Sequence, residues 1–397
     1  MKKLLVLAAG KLQVPIIKKA QEMGLYVIAA DDDPNAPGMK IADKAIVPGG
    51  LNDEEKMLAI AKEENIDAVI HPCSEVAMTV MGRINDEMHL HGISRETARR
   101  ATNKYLMRVS FEAYGAPGPK SFCSADSKEG WRLFREMGCR AIIKPSRNSG
   151  SRGISTIKPD LSYDEFAILF EKAKSESRDA SVMIEQFVDG PEFSIEIIVW
   201  NGTVNVLQVT DKKTTGAPYF IELGHSQPSL FPTTVLDAVK DAAIKGVKAL
   251  RLNYCSAHAE VKYMDGKPYI MEIGARLGGD FISTDLTHLS TGIDMVAAAI
   301  NVALGQEPCL TPFIAPSGVA IRYFTPAPGT VRTIEGTELL NHPDVYDAEI
   351  YVKPGDTVCP LRSSIDRSGH VIVRRNDVKE AIAEAEKLIS EVKIITE

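Results

Sequence analysis

Over residues 1–99, short apolar runs alternate with amphipathic stretches, and this alternation restricts the fold more than any other feature of the sequence. Leu4–Ala8, Val27–Ala30, Ala45–Val47 and Ala68–Ile70 read as strands buried on both faces. Helical patterns lie between and after them at about 12–23, 53–64 and 75–88. Strands of that kind, separated by helices, form a parallel sheet covered on both sides. The expectation is an α/β chain that opens with a Rossmann-like, doubly wound sheet. Asp31, at the end of the second run, invites comparison with a dinucleotide site, but that fingerprint needs G-x-G-x-x-G after the first strand. The sequence there is Ala8-Ala9-Gly10-Lys11-Leu12-Gln13, so no nicotinamide cofactor is expected.

A length of 397 residues leaves room for two or three packed units with a cleft between them. The formal net charge of −7 argues against a nucleic-acid or acidic-membrane partner, which would call for a basic excess. The apolar run after Met1-Lys2-Lys3 stops at Gly10, too early for a signal peptide, and no run approaches the ~18 residues of a membrane span. Cysteines 73, 123, 139, 255, 309 and 359 include no C-x-x-C pair, so reduced thiols in a cytoplasmic protein are expected.

Three later stretches carry chemistry. In Ile142-Ile143-Lys144-Pro145-Ser146-Arg147-Asn148-Ser149-Gly150-Ser151-Arg152-Gly153 a strand delivers a lysine to a loop of small residues. Small residues let backbone N–H groups converge on phosphate oxygens, and Lys144 adds a point charge; a hairpin loop with a chance lysine fits the same letters. In Glu185-Gln186-Phe187-Val188-Asp189-Gly190-Pro191-Glu192 a strand ends at a Gly-Pro turn and the next begins with an acid. Backbone at such a turn suits an adenine edge and a carboxylate suits ribose hydroxyls, while a surface hairpin with solvated acids is the plainer alternative.

The third stretch is a hairpin, Ala259 to Met264 and Lys267 to Ile273 around Asp265-Gly266, with one glutamate in each apolar strand. A two-residue turn pairs Met264 with Lys267 and sends Glu260 and Glu272 to opposite faces. A three-residue loop with a bulge pairs 263 with 267 and leaves both acids on one face as diagonal neighbours. Two carboxylates on one apolar face call for a cation, and oxygen ligands suit magnesium. Arg276 follows as a second positive group for an anionic substrate.

In this order the stretches resemble the ATP-grasp superfamily, and the resemblance covers nearly the whole chain. It implies a Rossmann-like domain over 1–99, a connector and small lid over 100–188, a β-rich large subdomain with the metal site over 189–311, and a C-terminal α+β domain over 312–397. By the same resemblance, Lys104 and Lys144 contact ATP phosphates, while Ser146, Ser149, Gly150, Ser151 and Gly153 belong to the lid loop. Glu185, Gln186, Phe187 and Val188 take the adenine, and Glu192 takes the ribose. Glu260 and Glu272 bind Mg2+, and Arg276, with Lys144, stabilises the reacting phosphoryl and acyl groups. Many members read Glu-x-Asn-x-Arg where this chain has Glu272-Ile273-Gly274-Ala275-Arg276, which leaves one or two metal ions open.

Within the superfamily the chain looks most similar to L-amino-acid ligases and phosphoribosylglycinamide-synthetase-like enzymes, on Gly224 to Ser229, Glu272 to Ile282 and Ser290 to Asp294. His225, Arg276 and Gly279 are then candidate substrate contacts, although His225 also fits a turn-capping role. The implied activity is an ADP-forming ligation of a small carboxylate to an amine through an acyl phosphate. Phosphoribosylamine–glycine ligation, carboxylation with bicarbonate and a silent nucleotide-binding protein are the rivals. A homodimer is the arrangement common among similar proteins.

Overall fold

The computed structural model describes residues 1–147, 153–217 and 219–397. The first sheet holds β1 (Lys3–Leu7), β2 (Tyr26–Ala30), β3 (Lys44–Ile46) and β4 (Ala68–Ile70), all parallel, in the order β3-β2-β1-β4. Leu4 to Leu7 and Val27 to Ala30 have no exposed surface, since α1 (Val14–Glu22) packs on one face and α2 (Glu54–Glu64) and α3 (Met78–Met88) on the other. β3 departs from the sequence reading. Lys44 and Ala45 are exposed and Ile46 half-buried, because this strand is the sheet edge with a neighbour on one side only.

Two short helices follow, α4 (Arg95–Thr102) and α5 (Lys104–Tyr114). Asn103 caps α5, its side chain accepting from the Leu106 N–H at 3.0 Å, so that Lys104 is fixed as the first helical residue. A second sheet is antiparallel: β5 (Ser121–Ser124), β6 (Ala141–Pro145), β7 (Ser155–Ile157) and β8 (Val182–Gln186), in the order β5-β8-β6-β7. Phe134 of α6 (Ser127–Met137) and Phe166 and Phe170 of α7 (Tyr163–Ser175) form its core. The expected lid residues Ser149, Gly150 and Ser151 lie outside the described residues.

The site is built on the largest sheet. Its strands are β9 (Glu192–Trp200), β10 (Thr203–Thr214), β11 (Glu222–Gln227), β12 (Cys255–Met264), β13 (Lys267–Gly274) and β14 (Gly318–Phe324), and it continues after β15 (Gly329–Glu335) with β16 (Val345–Ile350) and, after β17 (Thr357–Val358), with β18 (Gly369–Arg375). The order β13-β12-β9-β10-β11-β14-β18-β16 draws strands from both sides of Pro312 and Pro316. A small sheet, β17-β15-β19 with β19 at Lys393–Thr396, lies beside it.

The hairpin of β12 and β13 resolves the two registers in an unexpected way. Asp265 and Gly266 both have positive φ, +52° and +75°, and form a two-residue turn with Met264 opposite Lys267. A bulge then intervenes: Val261 pairs with Ile270, but Glu260 pairs with Glu272, leaving Met271 as the extra residue. The three-residue loop is therefore not formed, and the acids meet face to face rather than diagonally.

Candidate functional site

Residues directly opposite each other in an antiparallel sheet share a face. Glu272 pairs with Glu260, Glu260 with Ser194, and Ser194 with Thr210, so one polar stripe crosses β13, β12, β9 and β10. Two residues along in one direction the same face carries His258 opposite Glu196, and two residues along in the other direction it carries Lys212, opposite His225 of β11. Other parts of the chain cover this face only in part, leaving a cleft in which Glu260 and Glu272 stay half-buried.

One end of the cleft is rich in cations. Lys144 on β6 and Arg108 on α5 both reach the Glu185 carboxylate, Arg108 at 2.8 Å, and the Arg108 guanidinium also donates to the Met271 carbonyl at 2.6 Å. Burial pushes the Glu185 carboxyl up, but the two cations outweigh it and hold it at about 2. Lys104 lies 3.0 Å from Glu272. Glu75, missed in the sequence, meets Glu272 from the first domain and lies 3.6 Å from Arg276. Burial, and then the Glu272 charge, push the Glu75 carboxyl up to about 7.

The other end is a cavity of about 150 Å³. Lys212, His258 and Arg276 line it together with Glu222, Glu260 and Asp280, and Ser194, His225, Gly279, Ile282 and Ser364 complete the wall. Asp280 is gripped by Arg367 through two contacts of 2.7 Å, with His225 at 3.2 Å, and the Arg367 guanidinium lies 3.7 Å from the Tyr323 ring centroid. Behind the wall, fully buried Glu196 holds His258 and accepts from Ser283. Lys212 is 2.6 Å from Glu192 and 3.1 Å from Glu260.

The expected residues thus fall into two groups. Lys104, Lys144, Glu185, Glu260, Glu272 and Arg276 converge on one cleft, and His225, Arg276 and Gly279 line one cavity. Others are engaged elsewhere. The Ser146 hydroxyl is taken by Asp179, and Gly153 packs against Pro145 and Glu176. Gln186 bonds the Lys120 backbone, Phe187 lies 3.7 Å from the Arg140 guanidinium, the Val188 carbonyl faces Lys262 at 3.5 Å, and Glu192 serves Lys212. Lys212, Glu196 and His258 were also missed. The available signal was polar residues at every second position of β9, β10 and β12, which reads equally well as a solvated face.

Two features fit ATP and a magnesium ion. Glu260 and Glu272 are opposed carboxylates kept ionised: Lys212 holds Glu260 down, and at Glu272 the Lys104 charge outweighs burial. Buried nitrogens of Arg108 (Nη1) and Arg276 (Nε) have no hydrogen-bond acceptor among the described residues, as an anion-binding cleft requires.

Comparisons with known proteins agree along the length of the chain. Residues 4–95 match the PylC-like N-terminal domain, residues 137–285 the ATP-grasp domain, and residues 322–397 the L-amino acid ligase C-terminal domain 2. An uncharacterised protein of Sinorhizobium fredii is 24% identical over 77% of this chain, which spans 63% of that protein's length. The crystal structure of L-amino acid ligase from Bacillus licheniformis superposes with a TM-score of 0.84 at 22% identity, covering 100% of this chain and 99% of that one. Phosphoribosylglycinamide synthetase from Anaerococcus prevotii gives 0.81 at 21%, with 100% of both chains covered. Among the described residues no helix is long and apolar enough to cross a membrane. Residues 137–285 thus carry an ATP-grasp domain, a domain whose cofactors are ATP and Mg2+.

Proposed function

We propose that this chain is an ATP-dependent carboxylate–amine ligase, joining two small molecules through an acyl phosphate and releasing ADP and phosphate. The observation that carries the reading is the cavity of about 150 Å³, lined by both cations and acids beside the Glu260–Glu272 pair. When bound, Mg-ATP supplies the phosphoryl group that makes a carboxylate reactive toward an amine. Glu260 and Glu272 would hold the metal, Lys104 and Lys144 the phosphates, and the 185–188 segment the base. Arg276 places a cation where a substrate carboxylate enters, and Glu222 and Asp280 place acids where an amine does. Ser194 Oγ and His225 Nδ1, both buried in the cavity wall, have no partner among the described residues and are available to orient a substrate.

The C-terminal match to the L-amino acid ligase domain favours amino acids as substrates over a phosphorylated sugar. One structural relative is named an L-amino acid ligase and another a phosphoribosylglycinamide synthetase, so both substrate classes enter the test. The test is ADP release with ATP and Mg2+ across pairs of amino acids, bicarbonate, and phosphoribosylamine with glycine, for wild type and Glu272→Ala. Release that needs two amino acids and is lost in the variant supports the reading. Dependence on bicarbonate moves the chain to carboxylation. Nucleotide binding without turnover on any pair overturns the amide-forming assignment.

A further inference from the structure

Residues 359–367, between β17 and β18, supply part of the cavity wall through Ser364. None of them is fully buried, whereas Val358 before them and Ser368 after them are. Backbone bonds tie both feet of the segment to the body of the protein. Thr357 and Val358 pair with β15, while Ser368 donates to the Phe324 carbonyl at 2.8 Å and accepts from the Tyr351 N–H at 2.9 Å. Between the feet, among the described residues, no backbone–backbone hydrogen bond runs to another element.

The segment nevertheless holds itself together. The Asp366 carboxylate accepts from the Arg362 N–H, the Ser363 N–H and the Ser363 hydroxyl at 3.0, 2.8 and 2.8 Å, and Arg367 Nε donates to the Ser364 carbonyl at 2.7 Å. Its hydrogen bonds to the cavity come from two side chains. Ser364 donates to the Glu222 carboxylate at 2.7 Å, and Arg367 grips both oxygens of Asp280 and reaches the Glu222 carbonyl at 3.4 Å. Ser364 faces the cavity while its neighbour Ile365 is 92% exposed, so a single layer of chain separates cavity from solvent here. A stretch with no buried apolar side chain and no ladder bonds belongs to the readily opened part of a structure. A bidentate guanidinium–carboxylate pair gives its closed position a defined geometry.

We propose that residues 359–367 are a hinged flap over the cavity, latched on Glu222 and Asp280, through which a small-molecule substrate enters. The inference rests on reading the cavity as the substrate site and adds how that site is reached.

The experiment measures access to the cavity without requiring turnover. Ser194 lines the cavity and has no exposed surface, so Ser194→Cys places a thiol behind the flap with little change of shape. Labelling at position 194 by aminoethyl methanethiosulfonate is followed by mass spectrometry of the peptide that contains it. The non-hydrolysable analogue AMP-PNP and Mg2+ are present throughout to fill the cation-rich end of the cleft. Adding Arg367→Gln, which breaks the grip on Asp280, is expected to speed labelling about tenfold or more, and Ser364→Ala to speed it less. Equal rates in all three proteins would overturn the proposal, since the reagent would then enter elsewhere. Should Ser194→Cys not fold, Gly279→Cys repeats the measurement, because a Cβ at that cavity position meets nothing closer than Leu12 at 3.9 Å. Failure of the unsubstituted protein to retain AMP-PNP in equilibrium dialysis would sink the ATP-dependent reading instead, a result distinguishable from equal labelling rates.

Discussion

Glu260 and Glu272 stand directly opposite each other on adjacent strands, although the two-residue turn between them would by simple alternation put them on opposite faces. The bulge at Met271 brings Glu272 onto the Glu260 face, and the Met271 carbonyl accepts from Arg108 at 2.6 Å. Like charges directly opposite in a sheet destabilise it. Here a lysine stands against each acid, Lys104 3.0 Å from Glu272 and Lys212 3.1 Å from Glu260.

Ligand binding should stabilise the protein strongly. With Mg2+ and ADP at 100 times the dissociation constant, linkage gives about 2.7 kcal/mol, visible as a raised melting temperature. In Glu272→Gln the metal-dependent part of that gain is expected to vanish. A variant that keeps the full Mg2+-dependent shift would remove Glu272 from the metal site. The readout is differential scanning fluorimetry with ADP alone and with ADP plus Mg2+.

Arg108 is expected to be a major stabilising residue through Glu185. Replacing it with methionine leaves a buried carboxylate with Lys144 as its remaining ion-pair partner, and breaking a buried pair costs roughly 3–5 kcal/mol. Glu185 also predicts an acid limb. Its folded-state value of about 2 lies below the ordinary glutamate value of about 4.3, so its contribution is complete above that ordinary value. It is lost as pH falls from there through 2. Urea unfolding of wild type and Arg108→Met across that range checks both, and the limb should be shallower in the variant.

Gly278 is required by the pair behind the cavity. An added Cβ would sit 2.6 Å from His258 Nδ1 and 2.9 and 3.0 Å from the two Glu196 oxygens, all at buried positions. Gly278→Ala should force the pair apart and cost on the order of 3–5 kcal/mol. Urea denaturation measures it, and a loss under 1 kcal/mol would show that the strand can move aside.

These residues mark the limit of what the sequence could reveal. The parallel first sheet was legible because its inner strands are apolar on both faces, and the hairpin was legible because Asp265-Gly266 permits positive φ at both positions. The bulge was not, since the letters of Lys267 to Gly274 say nothing about which residue the ladder skips. Lys212, Glu196 and His258 were hidden for a related reason. Polar residues alternating along a strand mark a face that meets something other than the core, and only the tertiary arrangement distinguishes open solvent from a cleft. Glu75 was invisible for a third reason. It belongs to the first domain and reaches Glu272 across nearly 200 positions of sequence.

Arg367 ties the C-terminal part of the chain to the cavity. Its two contacts of 2.7 Å to Asp280 hold that carboxylate against His225, and one residue turn earlier Ser364 bonds Glu222 at 2.7 Å. Substitution by lysine keeps the charge but not the planar fork that grips both oxygens. Arg367→Lys is therefore expected to raise the KM for the substrates the cavity takes by tenfold or more while AMP-PNP affinity stays within twofold, since the contacts of Arg367 run to Ser364, Glu222 and Asp280 on the cavity side. Hydrogen exchange supplies an independent reading, because the backbone of residues 362–368 should exchange faster once the grip on Asp280 is lost. Equal losses in substrate and nucleotide affinity would mean that Arg367 supports the whole cleft and not the cavity wall.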